Sequence, residues 1–228
     1  MVNGSGKRCV LASGGLDSAV ALAEAARSGP VAPVFVRSGL VWEPAEMYWL
    51  GRFLQTIGAP ALVVLDLPVA DLYGAHWSLT GDDPPDSESP DDAVYLPGRN
   101  LLLLSKAGVW AVENGCVAIV MGPLAANPFP DGTRAFFDAM GEAMGLALGL
   151  AGPLPVETPL AGLAKADVVR RAAGLPLELT FSCLSPAPDH RHCGACNKCA
   201  ERRSGFAEAG VPDPTEYAYG SRAGAGST

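Results

Sequence analysis

Short apolar runs alternate with segments of helical periodicity along the first three quarters of the chain. The runs have the length of buried strands, and the segments between them repeat apolar residues every three or four positions. One such segment places Met47, Leu50, Phe53, Leu54 and Ile57 on one helical face. The predicted strands are residues 7–13, 31–38, 61–67, 116–122 and 154–160, and the predicted helices are residues 15–29, 43–59, 99–115, 133–149 and 164–174.

Strands that alternate with helices pair in parallel and need helices on both faces. The pattern therefore predicts an α/β protein with a doubly wound, Rossmann-like parallel sheet over residues 1–176. A small Cys-rich module with the tail is predicted over residues 177–228. The pattern breaks at residues 73–97, where Pro, Asp, Ser and Gly accumulate, which predicts a surface loop that is disordered or lid-like. The tail after Glu216 is expected to fray.

The charge of the chain bears on whether it binds a polyanion such as tRNA. The net charge of the 228 residues is −8, and the acidic segment 81–92 holds six of the 24 acidic residues, so the rest of the chain carries only −2. This balance disfavours direct binding of tRNA or another polyanion, although Lys198, Arg202 and Arg203 form a small basic patch. The first residues do not resemble a signal peptide, and no apolar run reaches the ~20 residues needed to span a bilayer. We expect a cytoplasmic protein.

The loop between the first strand and the first helix reads SGGLDS. Adjacent glycines let the backbone approach an anion, and the helix that follows presents free amides and a positive dipole end. Asp17 is suited to hold Mg²⁺ beside phosphate oxygens. The loop lacks the Lys-Ser/Thr pair of a Walker A motif and the spacing of GxGxxG. A plain tight turn is the alternative. The phosphate-site candidates are Ser13, Gly14, Gly15, Leu16, Asp17 and Ser18.

Four cysteines near the C-terminus have the spacing C-x9-C-x2-C-x2-C: Cys183, Cys193, Cys196 and Cys199. Four thiolates so close in sequence predict a closed, tetrahedral Zn²⁺ site. An iron–sulfur cluster and CxxC redox chemistry are the alternatives. His190 and His192 are expected to face solvent or to support the cysteines. Cys9 and Cys116 lie in apolar runs and are expected in the core.

The string SGGLDS closely resembles the pyrophosphate loop of the ATP-pyrophosphatase superfamily. YLPGRN, TPLAGLAKADVV, TFSC and CGACNKCAERRSGF follow it in the order found in the 7-cyano-7-deazaguanine synthase family. The chain resembles that family from Leu11 to Phe206.

The resemblance implies an adenine nucleotide alpha hydrolase-like fold and a ligase that uses ATP, Mg²⁺ and Zn²⁺. It implies that 7-carboxy-7-deazaguanine and ammonia become the nitrile in queuosine biosynthesis, and that the enzyme is a homodimer. Arg99 and Asn100 would bind ATP, and Asp17, Arg99 and Lys165 would serve catalysis. Judged from local sequence alone, Arg99 and Lys165 are equally well explained as solvated surface cations.

Two segments depart from the family pattern. Residues 36–49 lack the usual Gln-Arg-His, and residues 127–134 read NPFPDGTR without the usual cysteine. Phe129 is predicted to stack on the substrate base and Asp131 to pair with its amino edge, with an ordinary turn as the alternative. The departures motivate a second hypothesis, in which ATP activates a carboxylate for an amine on a protein or small molecule. A third hypothesis is a non-catalytic nucleotide-binding or zinc-binding platform.

Overall fold

The computed structural model describes residues 6–219, so the end of the tail, predicted to fray, lies outside the described residues. The strands are β1 (Arg8–Leu11), β2 (Val31–Arg37), β3 (Val63–Asp66), β4 (Ala118–Val120) and β5 (Val156–Glu157). The helices are α1 (Leu16–Ser28), α2 (Glu43–Thr56), α3 (Ala70–Tyr73), α4 (Trp77–Thr80), α5 (Arg99–Glu113), α6 (Arg134–Ala147), α7 (Lys165–Arg171) and α8 (Asn197–Ala209). Short 3₁₀ helices cover Asp91–Val94, Pro130–Gly132 and Leu177–Leu179.

The five strands form one parallel sheet in the order β3-β2-β1-β4-β5. Leu11 of β1 pairs with Val34 of β2, and Val10 pairs with Val120 of β4. The order reverses direction at β1, because the chain builds outward to β3 and then returns to the other side of β1. Ligands of such sheets bind at the carboxyl ends of the strands at this switch point. The predicted fold class is confirmed, and it places the SGGLDS loop at the switch.

Helices cover both faces of the sheet. On one face α1, α2, α7 and α8 share a core, and Phe206 of α8 is buried there beside Val20 and Val168. On the other face α5 and α6 pack through Leu104, Phe137 and their neighbours. The second core also buries Cys9 and Cys116, as predicted. Because Phe206 packs into the first core, the packing crosses the domain boundary predicted at residue 176.

The segment 73–97 contains regular structure, contrary to expectation. It holds α4 and a 3₁₀ helix, and contacts dock it both before and within its acidic stretch. Trp77 stacks on Trp42 with ring centroids 5.5 Å apart. Asn197 at the start of α8 donates its amide to the carbonyl of Pro85 at 3.1 Å and its side chain to that of Ser89 at 2.7 Å. These contacts are long-range, so local composition did not reveal them. Mobility of this segment stays a prediction.

Within residues 6–219, no helix has both the length and the apolar character needed to cross a membrane.

Candidate active site and metal centre

The SGGLDS loop is built as an anion cradle. Gly14 has φ +80°, and a Cβ there would lie 2.9 Å from the carbonyl oxygen of Glu46, so this position needs glycine. Ser13 Oγ accepts from the amide of Gly15 at 3.3 Å, and Ser18 Oγ donates to the carbonyl of Gly15 at 2.9 Å. Gly15 caps α1 without a side chain. The first-turn amides of α1 therefore stay available to an anion at the helix's positive end.

A chain of alternating charges lies beside the loop. Lys165 Nζ contacts Asp17 Oδ2 at 2.7 Å and Glu201 Oε1 at 2.8 Å, and Lys198 Nζ contacts Glu201 Oε2 at 2.6 Å. Burial opposes ionisation of Glu201, but the ammonium groups of Lys165 and Lys198 prevail and lower its pKa to about 2. Asp17 Oδ1 is buried with no hydrogen-bond partner among the described residues. One carboxylate oxygen of Asp17 thus stays free for a ligand.

The start of α5 brings Arg99 and Asn100 to the same cleft. Arg99 Nε is buried without a hydrogen-bond partner in the described part of the chain. Asn100 donates its amide to Asp131 Oδ2 and its side chain to the carbonyl of Asp131, each at 2.9 Å. Asp131 therefore anchors the first turn of α5, and it does not line the cleft. Its predicted pairing with a base stays untested, and the observed contacts favour a positioning role.

The cleft encloses about 350 Å³. Nine predicted residues line it: Ser13, Gly15, Leu16, Asp17, Ser18, Arg99, Asn100, Phe129 and Lys165. Phe129 stacks on Tyr95 at a centroid distance of 4.9 Å. Gly14 lies behind the cradle, where it lets α2 approach. The structure thus assembles in one place residues that are more than 140 positions apart.

Sequence reasoning missed several lining residues, among them Glu46, Trp77 and Glu201. Glu46 is 8% exposed, and no donor among the described residues binds its carboxyl group. Burial raises the pKa of Glu46 to about 8; the charge of Arg99 opposes this shift and that of Glu43 adds to it. The missed signal was its position, because Glu46 precedes Leu50 and Phe53 on the apolar face of α2.

The four C-terminal cysteines converge on one point. All four are buried, and their Sγ atoms lie within 4.8 Å of one another. Each sulfur accepts a backbone amide: Cys183 from Cys193, Cys193 from Ala195, Cys196 from Leu184 and Cys199 from Gly194. Such amides stabilise thiolates, so the group is suited to hold a metal ion.

The histidines near this group are outside it. His192 is buried, and its Nε2 accepts a hydrogen bond from the amide of Ser182, next to Cys183. His190 packs its ring on Tyr48 at a centroid distance of 4.7 Å. His192 thus supports the chain that carries Cys183 and does not face solvent.

The cysteine group and the cleft share a wall. Cys183, Cys193, Cys196 and Cys199 pack in one apolar cluster with Trp42 and Leu96, which line the cleft. Lys198 lies between two of the cysteines, and Glu201 follows on α8. A metal ion at the cysteines would therefore fix the segment that supplies Lys198 and Glu201 to the cleft.

Comparisons with known proteins agree with this arrangement. The model of the queuosine biosynthesis protein QueC family matches residues 7–210. The 7-cyano-7-deazaguanine synthase of Desulfatibacillum aliphaticivorans is 34% identical over 92% of this chain and 96% of its own length. The synthase of Syntrophotalea carbinolica is 36% identical, covering 94% and 97%, and that of Xanthomonas oryzae pv. oryzae is 38% identical, covering 93% and 98%. By family match, identity and coverage, this chain belongs to the QueC family of queuosine biosynthesis proteins.

Proposed function

We propose that this chain catalyses the ATP-dependent conversion of 7-carboxy-7-deazaguanine and ammonia to 7-cyano-7-deazaguanine. The observation that carries the proposal is the cleft at the switch point, where the anion cradle, Lys165 and Arg99 face one volume. Family membership supplies the reaction, since the curated relatives are 7-cyano-7-deazaguanine synthases. The protein is therefore a C–N ligase that makes a queuosine precursor.

The chemistry requires two activations by ATP. A carboxylate oxygen attacks the α-phosphorus and pyrophosphate leaves; ammonia then attacks the acyl carbon, and AMP leaves with that oxygen. The amide oxygen attacks a second ATP in the same way, and loss of AMP and protons leaves the nitrile. No side-chain nucleophile is needed, so the chain acts by positioning and by stabilising charge.

The residues of the cleft divide this work. The backbone amides at the start of α1 bind the β and γ phosphates of ATP, which leave as pyrophosphate. Lys165 is held ionised by Asp17 and Glu201, because these carboxylates raise its pKa despite burial. It therefore carries a fixed positive charge beside the leaving group. Arg99 also lines the cleft and offers its buried Nε to the substrate carboxylate or a phosphate oxygen.

The donor sets fit the two metals that the proposal includes. Asp17 Oδ1, buried without a partner, would hold Mg²⁺, which neutralises triphosphate charge when bound. At the cysteines, a tetrahedral Zn²⁺ with bonds of about 2.3 Å requires sulfurs about 3.8 Å apart. The Cys193–Cys199 and Cys183–Cys196 pairs are each 3.9 Å apart, which supports a single ion. An iron–sulfur cluster holds its thiolates on different irons, farther apart. Zinc is the metal we propose.

The altered segments support a second candidate function. Residues 36–49 bring Trp42 to the cleft wall, where it stacks on Trp77. Because this wall belongs to a segment that departs from the family pattern, it is compatible with an acceptor other than ammonia, such as an amine on a small molecule or protein. A dimeric state, a cytoplasmic location and the lack of direct tRNA binding stay predictions.

The test is a product assay by mass spectrometry. Incubation with ATP, Mg²⁺, ammonium and 7-carboxy-7-deazaguanine is expected to yield AMP, pyrophosphate and the nitrile. Asp17→Asn should abolish all three, whereas Asp167→Asn, at an exposed ion pair on α7, should leave turnover unchanged. AMP formation that requires both the carboxylic acid substrate and an added amine, without formation of the nitrile, would favour the second candidate. Folded protein that forms no AMP would contradict both.

A further inference from the structure

Glu46 is the most conspicuous group that the proposed chemistry does not use. Its side chain starts from the first turn of α2 and lines the cleft next to the phosphate loop, where its backbone carbonyl contacts the position of Gly14. It is 8% exposed and receives no hydrogen bond from any described residue. Its neighbour Glu43, by contrast, is fully engaged, because its carboxylate accepts the amides of Ser38 and Gly39 at 2.7 and 2.9 Å.

A carboxyl group that is largely buried and accepts no hydrogen bond from the protein is poorly solvated, which destabilises its charged form. Groups of this kind occur where ligand binding uses them, since function is retained at some cost in stability. A ligand that donates two hydrogen bonds would satisfy both oxygens of Glu46. Among the described residues Arg99 acts on Glu46 through its charge but makes no hydrogen bond to it, so both carboxyl oxygens stay available to a ligand.

The surroundings define the shape of that ligand. Trp42 and Trp77 stack with their ring planes inclined by 29°, and both line the cleft with Leu96 and Phe129. Aromatic and aliphatic walls around one carboxylate suit a flat heterocycle with a polar edge.

We propose that Glu46 determines specificity by accepting hydrogen bonds from the ring N–H and the 2-amino group of the substrate's 2-amino-4-oxopyrimidine edge. This inference rests on the proposed function and assigns to Glu46 the role that the sequence suggested for Asp131. A carboxylate presents two acceptors to this pair of adjacent donors. Burial raises the pKa of Glu46, but the charge of Arg99 and two hydrogen bonds donated by the ligand would lower it, and these favour the ionised form that such pairing requires.

The rival ligand for Glu46 is the adenine of ATP. Adenine offers one donor and one acceptor on its pairing edge, so it would require the protonated acid. The substitution Glu46→Gln distinguishes binding of the guanine-like base from binding of adenine, because the glutamine amide offers one donor and one acceptor. Glu46→Gln would preserve adenine pairing but would set a donor against a donor of the guanine edge.

The experiment measures dissociation constants by calorimetry for 7-deazaguanine and for 7-deazahypoxanthine, which lacks only the 2-amino group. We expect the unmodified protein to prefer 7-deazaguanine by about 10-fold or more, and Glu46→Gln to weaken its binding about 10- to 100-fold and abolish the preference. ATP affinity should stay within about twofold of the starting value. Glu142→Gln, an exposed change of the same type on α6, is the matched control.

Three results would overturn the inference. They are a 7-deazaguanine affinity that Glu46→Gln leaves unchanged, no preference over 7-deazahypoxanthine in the unmodified protein, and a loss of ATP affinity in place of base affinity. Thermal melting of each variant separates lost contacts from lost fold. Glu46-dependent base binding in a protein that forms no nitrile would retain the inference and reject the proposed reaction, so the two failures are distinguishable.

Discussion

Lys165 and Glu201 depend on each other for their charge states, and Asp17 also contacts Lys165. Lys165 is largely buried, yet two carboxylates keep it ionised, and Glu201 in turn is held ionised by Lys165 and Lys198. A positive charge fixed in this way needs no reorganisation when negative charge develops on a leaving pyrophosphate. Glu46 is the opposite case, since burial outweighs the charge of Arg99 and raises its pKa.

This difference predicts how stability depends on pH. The folded-state pKa of Glu46 is about 8, above the unfolded value of 4.5. Well below pH 4.5 the carboxyl group is neutral in both the folded and the unfolded state. Between pH 4.5 and pH 8 it ionises in the unfolded state but stays neutral in the folded state, which stabilises the unfolded state and lowers the free energy of unfolding. We therefore compare the free energy of unfolding of Glu46→Gln with that of the unmodified protein. The difference should shift in favour of the variant by about 2–4 kcal/mol between pH 4.5 and pH 8.5.

Urea unfolding at these two pH values checks this, with Glu142→Gln as the reference variant. A stability difference that does not change with pH would mean that Glu46 ionises normally in the folded protein.

At the scale of elements, the loop before α1 and the start of α5 converge because each is fixed by one specific contact. Gly14 admits the backbone of α2, and Asp131 anchors Asn100. Neither Gly14 nor Asp131 lines the cleft, so we expect both to act by positioning other groups. The order of strands and helices was predictable, because their apolar periods are local properties of the sequence.

Other features required knowledge of distant neighbours. The role of Asp131 depends on Asn100, 31 positions earlier. The docking of residues 85–89 depends on Asn197, and the cleft position of Trp77 depends on Trp42. The predicted strand 154–160 is only Val156–Glu157, because pairing with the short β4 limits its ladder. The residues of the phosphate loop and the cysteine group were predictable, because such residue types rarely occur together at such short spacing. A single polar residue such as Glu46 belongs to no sequence motif that would have indicated its place in the cleft.

Gly14→Ala tests the element contact. The added Cβ would face a backbone oxygen at 2.9 Å and a φ of +80°, so α2 must move. We expect a loss of about 2–4 kcal/mol in unfolding free energy and at least a 10-fold loss in ATP affinity. The matched control is Gly58→Ala, with φ +65° and no atom within 4 Å of the added Cβ.

The control should lose only about 1 kcal/mol and bind ATP normally. Denaturation and ATP titration of both variants measure this. Equal behaviour of the two variants would show that the approach of α2 to the loop has no role in forming the cradle.

At the scale of the whole molecule, the cysteine group and the active-site cleft are one unit. The cysteines share an apolar cluster with Trp42 and Leu96, and Phe206 ties α8 into the main core. Lys198 and Glu201 connect this region to Lys165. The C-terminal part therefore forms one wall of the cleft.

Metal removal should consequently disable ATP binding before the sheet unfolds. Treatment with a strong chelator is expected to release one Zn²⁺ per chain, to increase proteolysis within residues 81–92 and to weaken ATP binding at least 10-fold while far-UV circular dichroism changes little. Added Zn²⁺ should restore binding. Elemental analysis that finds iron, or full ATP affinity without metal, would contradict this account.

The central claim is that the cleft transfers AMP to the substrate's carboxylate oxygen, and an isotope label follows that oxygen directly. With both carboxylate oxygens of 7-carboxy-7-deazaguanine labelled with ¹⁸O, every AMP released on the way to the nitrile should carry one ¹⁸O, and pyrophosphate should carry none. Label in inorganic phosphate with formation of ADP, or AMP without label, would contradict the claim.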